Sequence, residues 1–238
     1  MRRTTPSEPS EPAFPLSQII KGSGTPPALT LNPEPINFYL ISKQTITQTT
    51  KEGIIMAKRY YELHVAGCTR QLPIMNISDT LAIAGFVILG DTEIVTRTAA
   101  ELAKKIPEGT DIILTAETKG IPLAHEMARV LGMKEYIVAR KSVKAYMENP
   151  ICVEDESITT MGKQRLYLSQ DDVDLIRGKK VLLVDDVIST GGSMKAMKEI
   201  TEKAGGQVIG EAAILAEGDA AKREDIIFLA PLPLFEAE

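Results

Sequence analysis

The stretch Val181–Ser193, VLLVDDVISTGGS, sets two adjacent carboxylates, Asp185 and Asp186, at the end of an apolar run and follows them with a hydroxyl- and glycine-rich turn. Glycines let backbone N–H groups approach an anion closely, and the start of a helix adds partial positive charge. In Ser189-Thr190-Gly191-Gly192-Ser193 the hydroxyls supply further donors, so the turn reads as a phosphate cradle. It carries no lysine and is therefore not the nucleotide loop that ends in Gly-Lys-Ser/Thr. The two acids cannot share that anion, because like charges repel. They suit hydroxyl donors and a magnesium ion held through its waters. A phosphate, a diol and a divalent cation within a few residues describe a ribose 5-phosphate.

This string resembles the 5-phosphoribosyl 1-pyrophosphate signature of the type I phosphoribosyltransferases, and the resemblance extends over most of residues 56–238. It implies magnesium-dependent transfer of phosphoribosyl to a nitrogen nucleophile, with release of pyrophosphate. It also implies that Asp185 and Asp186 hold the ribose hydroxyls and the metal, and that Ser189, Thr190, Gly191, Gly192 and Ser193 hold the 5-phosphate. Residues 116–122, AETKGIP, are similar to the family's pyrophosphate loop and place Lys119 and Gly120 beside the leaving group. Residues 140–144, RKSVK, resemble its basic run, in which Arg140, Lys141 and Lys144 neutralise pyrophosphate. Clustered cations with magnesium are what the departure of a multiply charged group requires. Residues 145–161 show no sustained period and fall where the family has a mobile loop that closes over the reaction and excludes water.

The base is less legible. Members of the family that use 6-oxopurines carry an acid where this chain has Ser189, near the purine nitrogen that loses its proton, and a serine cannot fill that role at neutral pH. Orotate members share Gly120-Ile121-Pro122-Leu123-Ala124 and the basic run but continue into a His-Gly-rich loop, whereas this chain continues as Ala145-Tyr146-Met147-Glu148. Adenine members are closest in layout, although they place a loop Glu before a Tyr-Gly pair and the counterpart here is Thr160-Met161-Gly162. Glu154, Asp155 and Glu156 lie just upstream, and Glu156 is the candidate for handling the base's proton. The resemblance implies purine salvage with adenine as the base and a homodimer as the assembly. Xanthine and orotate transfer remain alternatives, as does a regulator that senses phosphoribosyl pyrophosphate without catalysis. Such regulators carry a DNA-binding domain, and residues 1–55 contain no amphipathic helix pair.

Around these residues the chain reads as α/β, a mostly parallel sheet flanked by helices with a small hood. Short apolar strands are expected over 111–116, 135–140, 162–169, 181–184 and 207–215. They alternate with helices over 92–106, 121–131 and 192–204. Asp91 or Thr92 caps the first helix and Gly132 stops the second. Ligands of such sheets sit beyond the carboxyl ends of the strands, where Asp185 and Asp186 fall. The hood is expected from residues 60–74 and 226–235, the latter an apolar rim punctuated by Pro231 and Pro233 rather than a regular strand. Phe228 and Phe235 read as core, and His64 and His125 as structural.

Residues 1–55 hold eight of the 14 prolines and no sustained period, so they read as a disordered extension before a transferase domain at 56–238. Lys51-Glu52-Gly53 precedes Met56 by a few codons and is compatible with a ribosome-binding tract, which makes Met56 a candidate start and the extension a misassigned leader. A net charge of −5 argues against a general nucleic-acid binder. Two cysteines, Cys68 and Cys152, stand in no metal-ligand spacing and fit reduced cytoplasmic thiols. The longest apolar run, residues 81–89, is about half a membrane span.

Overall fold

The computed structural model describes residues 58–155 and 164–238. The expected extension and the candidate start at Met56 lie outside those residues.

Five strands form a wholly parallel sheet: β4 (Ile112–Ala116), β5 (Ile137–Ala139), β8 (Lys180–Ile188), β9 (Gln207–Glu217) and β10 (Ala230–Leu232), in the order β10-β9-β8-β4-β5. The run Val181-Leu182-Leu183-Val184 is apolar without alternation because both faces of β8 are covered. Leu182 and Val184 pack with Ile94, Leu102, Leu123 and Met127, which come from α1 (Thr92–Ala103) and α2 (Ile121–Val130). Val181 and Leu183 pack on the other face with Val173, Ile176, Met197 and Ile200, from α3 (Gln170–Ile176) and α4 (Gly192–Lys203). Asp91 caps α1, its side chain accepting from the Ile94 N–H at 3.1 Å. Past α2, Gly132 takes φ +70°, a conformation that a residue with a side chain rarely adopts.

The order of strands creates the crevice. The chain leaves β4 toward β5 on one side and returns with β8 on the other, so the connections diverge between β4 and β8. Such a switch point is where an open α/β sheet leaves room for a ligand. The strand lengths deepen it. β4 and β8 pair only as far as Thr115 and Val184, whereas β8 continues against β9 through Ile188 and Ala216. Asp185 and Asp186 therefore lie inside β8, not beyond it as the sequence suggested. Pairing with β9 holds them in extended backbone while their β4-side edge is open.

A second, antiparallel sheet makes the hood, in the order β1-β2-β3-β11: β1 (Tyr60–Val65), β2 (Cys68–Asn76), β3 (Leu81–Ala84) and β11 (Leu234–Glu236). The rim expected at 226–235 thus contains two short strands. Pro233 separates them, since it has no N–H to give either ladder. Phe235 meets Tyr61 with ring centroids 5.6 Å apart, and Phe228 packs against the core, as read from the sequence. His64 lies 3.0 Å from Thr69 Oγ1 across the β1–β2 hairpin and 3.0 Å from Glu62 Oε1 on its own strand, and His125 packs edge-on to Tyr136.

Part of the segment expected to be irregular is regular. Residues 151–155 form β6 (Ile151–Asp155), antiparallel to β7 (Gln164–Leu168). Residues 156–163, between the two strands, lie outside the described residues.

Candidate active site

Three connections converge on the crevice. The first follows β4. Ala116 leads into Glu117, Thr118, Lys119 and Gly120, and the Glu117–Thr118 peptide is cis. Gly120 has an ordinary φ of −69°, so its requirement is steric. A Cβ there would overlap Thr115 Oγ1 and lie 3.1 Å from Asp185 Oδ1. The loop can lie against β8 only because position 120 has no side chain. Lys119 Nζ then reaches Asp186 Oδ2 at 2.5 Å and stands 3.5 Å from the Phe86 carbonyl oxygen.

The second connection follows β5. Arg140 exchanges backbone hydrogen bonds with Tyr167 of β7 at 2.8 and 2.9 Å, which anchors the basic run to the β6–β7 hairpin. Glu117 faces this run. It accepts from the Lys141 backbone N–H at 2.9 Å, pairs with Arg140 at 3.2 Å and stands 3.8 Å from Lys144 Nζ. That backbone hydrogen bond, with the positive charges of Arg140, Lys144 and Lys141, holds the Glu117 carboxyl below the usual carboxylate range. One carboxylate against three cations leaves the cluster positive. Arg140 Nε is buried without a hydrogen-bond partner among the described residues.

The third connection is β8 and its turn. Asp186 is 2% exposed, and Asp185 is half-buried with Oδ1 accepting from the Asp186 N–H at 2.8 Å. Burial, followed by the neighbouring Asp186 charge, pushes the Asp185 carboxyl up to about 7. Beyond them the backbone turns at Gly191, which takes φ +85° as the cap of α4. A left-handed residue there turns successive N–H groups inward, and glycine adopts it without strain.

These connections enclose a cavity of about 310 Å³ lined by residues that include Glu117, Lys119, Lys141, Asp185, Asp186 and Ser193. Sequence reasoning named five of those six. It missed Glu117, although an acid two residues before Lys119 was visible. Arg140 and Lys144 stand at the cavity's edge through Glu117. Ser189 and Thr190 line a second cavity, of about 410 Å³, toward the hood. Glu156, the candidate for proton handling, lies outside the described residues.

The donor set also bears on magnesium. Among the described residues no three His, Cys, Asp or Glu side chains cluster as a cage. Magnesium in phosphate chemistry keeps several waters and takes one or two carboxylates plus substrate phosphates. Asp185 and Asp186 match that pattern, and the repulsion between them is what a divalent ion relieves.

A parallel sheet with a switch-point crevice, an acidic pair on its central strand and a glycine turn at a helix start define a phosphoribosyltransferase, an enzyme that transfers phosphoribosyl groups. Residues 89–230 match the phosphoribosyl transferase domain, and the chain belongs to that family, in the branch whose members are named for purine bases. A hypoxanthine/guanine phosphoribosyltransferase of Methanothermococcus okinawensis is 30% identical over 174 residues, 73% of this chain and 82% of that protein. An adenine phosphoribosyltransferase of Thermosipho africanus is 32% identical over 148 residues, 60% of this chain and 84% of that protein. The crystal structure of adenine phosphoribosyltransferase from Thermoanaerobacter pseudethanolicus superposes with a TM-score of 0.51 at 26% identity, covering 60% of this chain and 84% of that one. The match at 89–230 begins just before α1 and ends in β10, leaving the hood strands outside it.

Proposed function

We propose that the protein transfers 5-phosphoribosyl from phosphoribosyl pyrophosphate to adenine, giving AMP and pyrophosphate in purine salvage. The observation that carries this reading is the convergence of Lys119, Asp185, Asp186 and Ser193 on one crevice, with the Arg140–Lys144 cluster at its edge. The turn from Ser189 to Ser193 anchors the 5-phosphate through its N–H groups and hydroxyls, far from the reacting carbon, so that binding energy positions the sugar. Asp185 and Asp186 accept from the ribose hydroxyls. Asp185 and Asp186 would also hold magnesium, which supplies positive charge to the pyrophosphate when bound.

In the reaction the bond from the anomeric carbon to the pyrophosphate oxygen breaks and a bond to the purine nitrogen forms. That nitrogen's proton passes to a general base, for which Glu156 is the candidate, and from there to solvent. Lys119, Arg140, Lys141 and Lys144 receive the charge that develops on the departing oxygen. Arg140 Nε, buried without a partner among the described residues, suits an acceptor brought by the substrate. Ser189 in place of an acid supports adenine over 6-oxopurines. The same reading includes a homodimer and a cytoplasmic location; among the described residues no helix is long and apolar enough to cross a membrane.

The test is a base screen with the full chain, magnesium and phosphoribosyl pyrophosphate, offering adenine, hypoxanthine, guanine, xanthine and orotate in turn. Nucleotide formed from adenine at the highest kcat/KM is expected. Preference for another base overturns the adenine assignment, and no nucleotide from any base overturns transfer.

A further inference from the structure

Glu117 is bound to the start of the basic run at two levels. Its backbone N–H donates to the Ala139 carbonyl at 2.9 Å, one step beyond the last β4–β5 pair, Ala116 with Ala139. Its side chain divides between the residues that follow. Oε2 accepts from the Lys141 backbone N–H at 2.9 Å, while Oε1 stands 3.2 Å from Arg140 Nη2 and 3.8 Å from Lys144 Nζ. Main chain and side chain of a single residue therefore grip the run.

The run needs such a grip. Residues 141–150 form neither strand nor helix. Arg140 is held by its exchange with Tyr167, and Lys144 by the Met147 N–H, which donates to the Lys144 carbonyl at 3.0 Å. Lys141 lies between these anchors, and the Glu117 carboxylate ties it back to the loop after β4. Lys141 lines the crevice with Lys119, Asp185 and Asp186. Glu117 stands two residues before Lys119, so one carboxylate sets the spacing of the two cation-bearing segments. It engages Arg140 at Nη2, and Arg140 Nε stays buried without a partner among the described residues.

We propose that Glu117 is a positioning residue for pyrophosphate, acting through the Lys141 backbone and the Arg140 guanidinium without itself touching the substrate. This rests on the transferase reading above and deepens it. Cations stabilise a leaving group best when they already stand where its charge develops, and a misplacement of about 1 Å can cost a hundredfold. A competing carboxylate would have the opposite effect, drawing the cations away from pyrophosphate. The geometry favours positioning. The Lys141 contact is a charge-assisted hydrogen bond of ordinary length, whereas Lys144 is 3.8 Å away and also donates to Ser142 Oγ at 2.7 Å. The two roles can be separated because the two oxygens have different partners. Glutamine keeps an oxygen for the Lys141 N–H and removes the charge; alanine removes both.

The experiment compares wild type, Glu117→Gln, Glu117→Asp and Glu117→Ala in the full chain, with magnesium. Calorimetry reads the affinity for inorganic pyrophosphate and, separately, for ribose 5-phosphate. Initial rates with adenine read kcat and the KM of each substrate. In Glu117→Ala pyrophosphate affinity is expected to fall about 10- to 100-fold and KM for phosphoribosyl pyrophosphate to rise with it. Ribose 5-phosphate affinity and KM for adenine should not change. Glu117→Asp, one methylene short of the Lys141 N–H, should follow alanine. Glu117→Gln should bind pyrophosphate no more weakly than wild type, since it keeps the backbone contact and sheds the competing charge. Unchanged or tighter pyrophosphate binding in Glu117→Ala and Glu117→Asp overturns the proposal. So does a loss in Glu117→Gln as large as in Glu117→Ala, which would assign the effect to charge. An equal fall in ribose 5-phosphate affinity also overturns it, making Glu117 a structural residue. A wild type that binds both ligands yet forms no nucleotide overturns transfer, while the glutamine and alanine affinities still decide positioning. A wild type that binds neither overturns both.

Discussion

Lys119 Nζ and Asp186 Oδ2, 67 residues apart in the chain, stand 2.5 Å apart and tie the loop after β4 to the middle of β8. The carboxylate is 3% exposed and the lysine 44%. Removing the lysine would leave a buried acid unpaired, which is costlier than removing both partners. Lys119→Met is expected to lower stability by about 1–3 kcal/mol, toward the lower end because water screens the exposed lysine. Adding Asp186→Asn should restore part of the loss in urea melts. A double variant no more stable than Lys119→Met would show that the pair does not hold the loop.

Gly120 and Gly191 are needed for different reasons, and their alanine variants should differ accordingly. At Gly120 a methyl group meets Thr115 Oγ1 and Asp185 at an ordinary φ, so Gly120→Ala should lose stability and transfer together, and Thr115→Ala should restore some of both. At Gly191 a methyl group meets only Arg223 Nη1, 3.7 Å away, and the cost is the left-handed backbone itself, about 1–2 kcal/mol. Trimming a neighbour cannot relieve that. Denaturation and turnover of the singles and the Thr115 doubles separate the two causes.

Asp185→Asn should separate stability from activity. Burial and the Asp186 charge disfavour the ionised carboxylate, so its charge is a burden to the metal-free fold above about pH 7. An asparagine keeps the Oδ1 acceptor for the Asp186 N–H without that charge. At pH 8 without metal the variant is expected to melt no lower than wild type. Transfer should drop about a hundredfold or more as the sugar loses its alignment. A large fall in Tm, or unimpaired turnover, would contradict the role given to Asp185.

Glu117 offers a pH test with the opposite sign. Its folded value lies below the ordinary 4.5, chiefly through the Lys141 N–H. A depressed carboxylate stabilises the fold above its unfolded value and loses that contribution as pH falls through the folded one. Glu117→Gln should therefore be less stable than wild type at neutral pH, with the gap closing as pH falls below about 4.5. A gap that is constant with pH would mean that the charge is not what Glu117 contributes.

Much of the fold was legible because its signals are local. The VLLV run, the 3.6-residue period of 92–106 and the glycine stop at 132 each report a neighbourhood that the chain carries with it. α3 went unread although Ser169 and Asp172 form a capping box, because its seven residues are too short to display a period. The end of β8 was misplaced at Val184, since continuation through Ile188 depends on β9, whose partner residues begin 27 positions later. The rim at 226–235 looked irregular because its prolines mask two strands that only the parallel sheet and the hood recruit.

By itself the sequence determined which groups the chain can offer: a phosphate turn, an acidic pair, a pyrophosphate loop and a basic run, in a recognisable order. Those are spacings along a backbone, and short-range chemistry suffices to read them. Only the tertiary structure decided which groups meet. Lys119 joined Asp186, Glu117 joined the basic run, and Ser189 and Thr190 came to share a cavity with Arg223 and Leu234 of the hood. Each of those relations is set by strand order and packing, through contacts between residues far apart in the chain, and no local pattern encodes them.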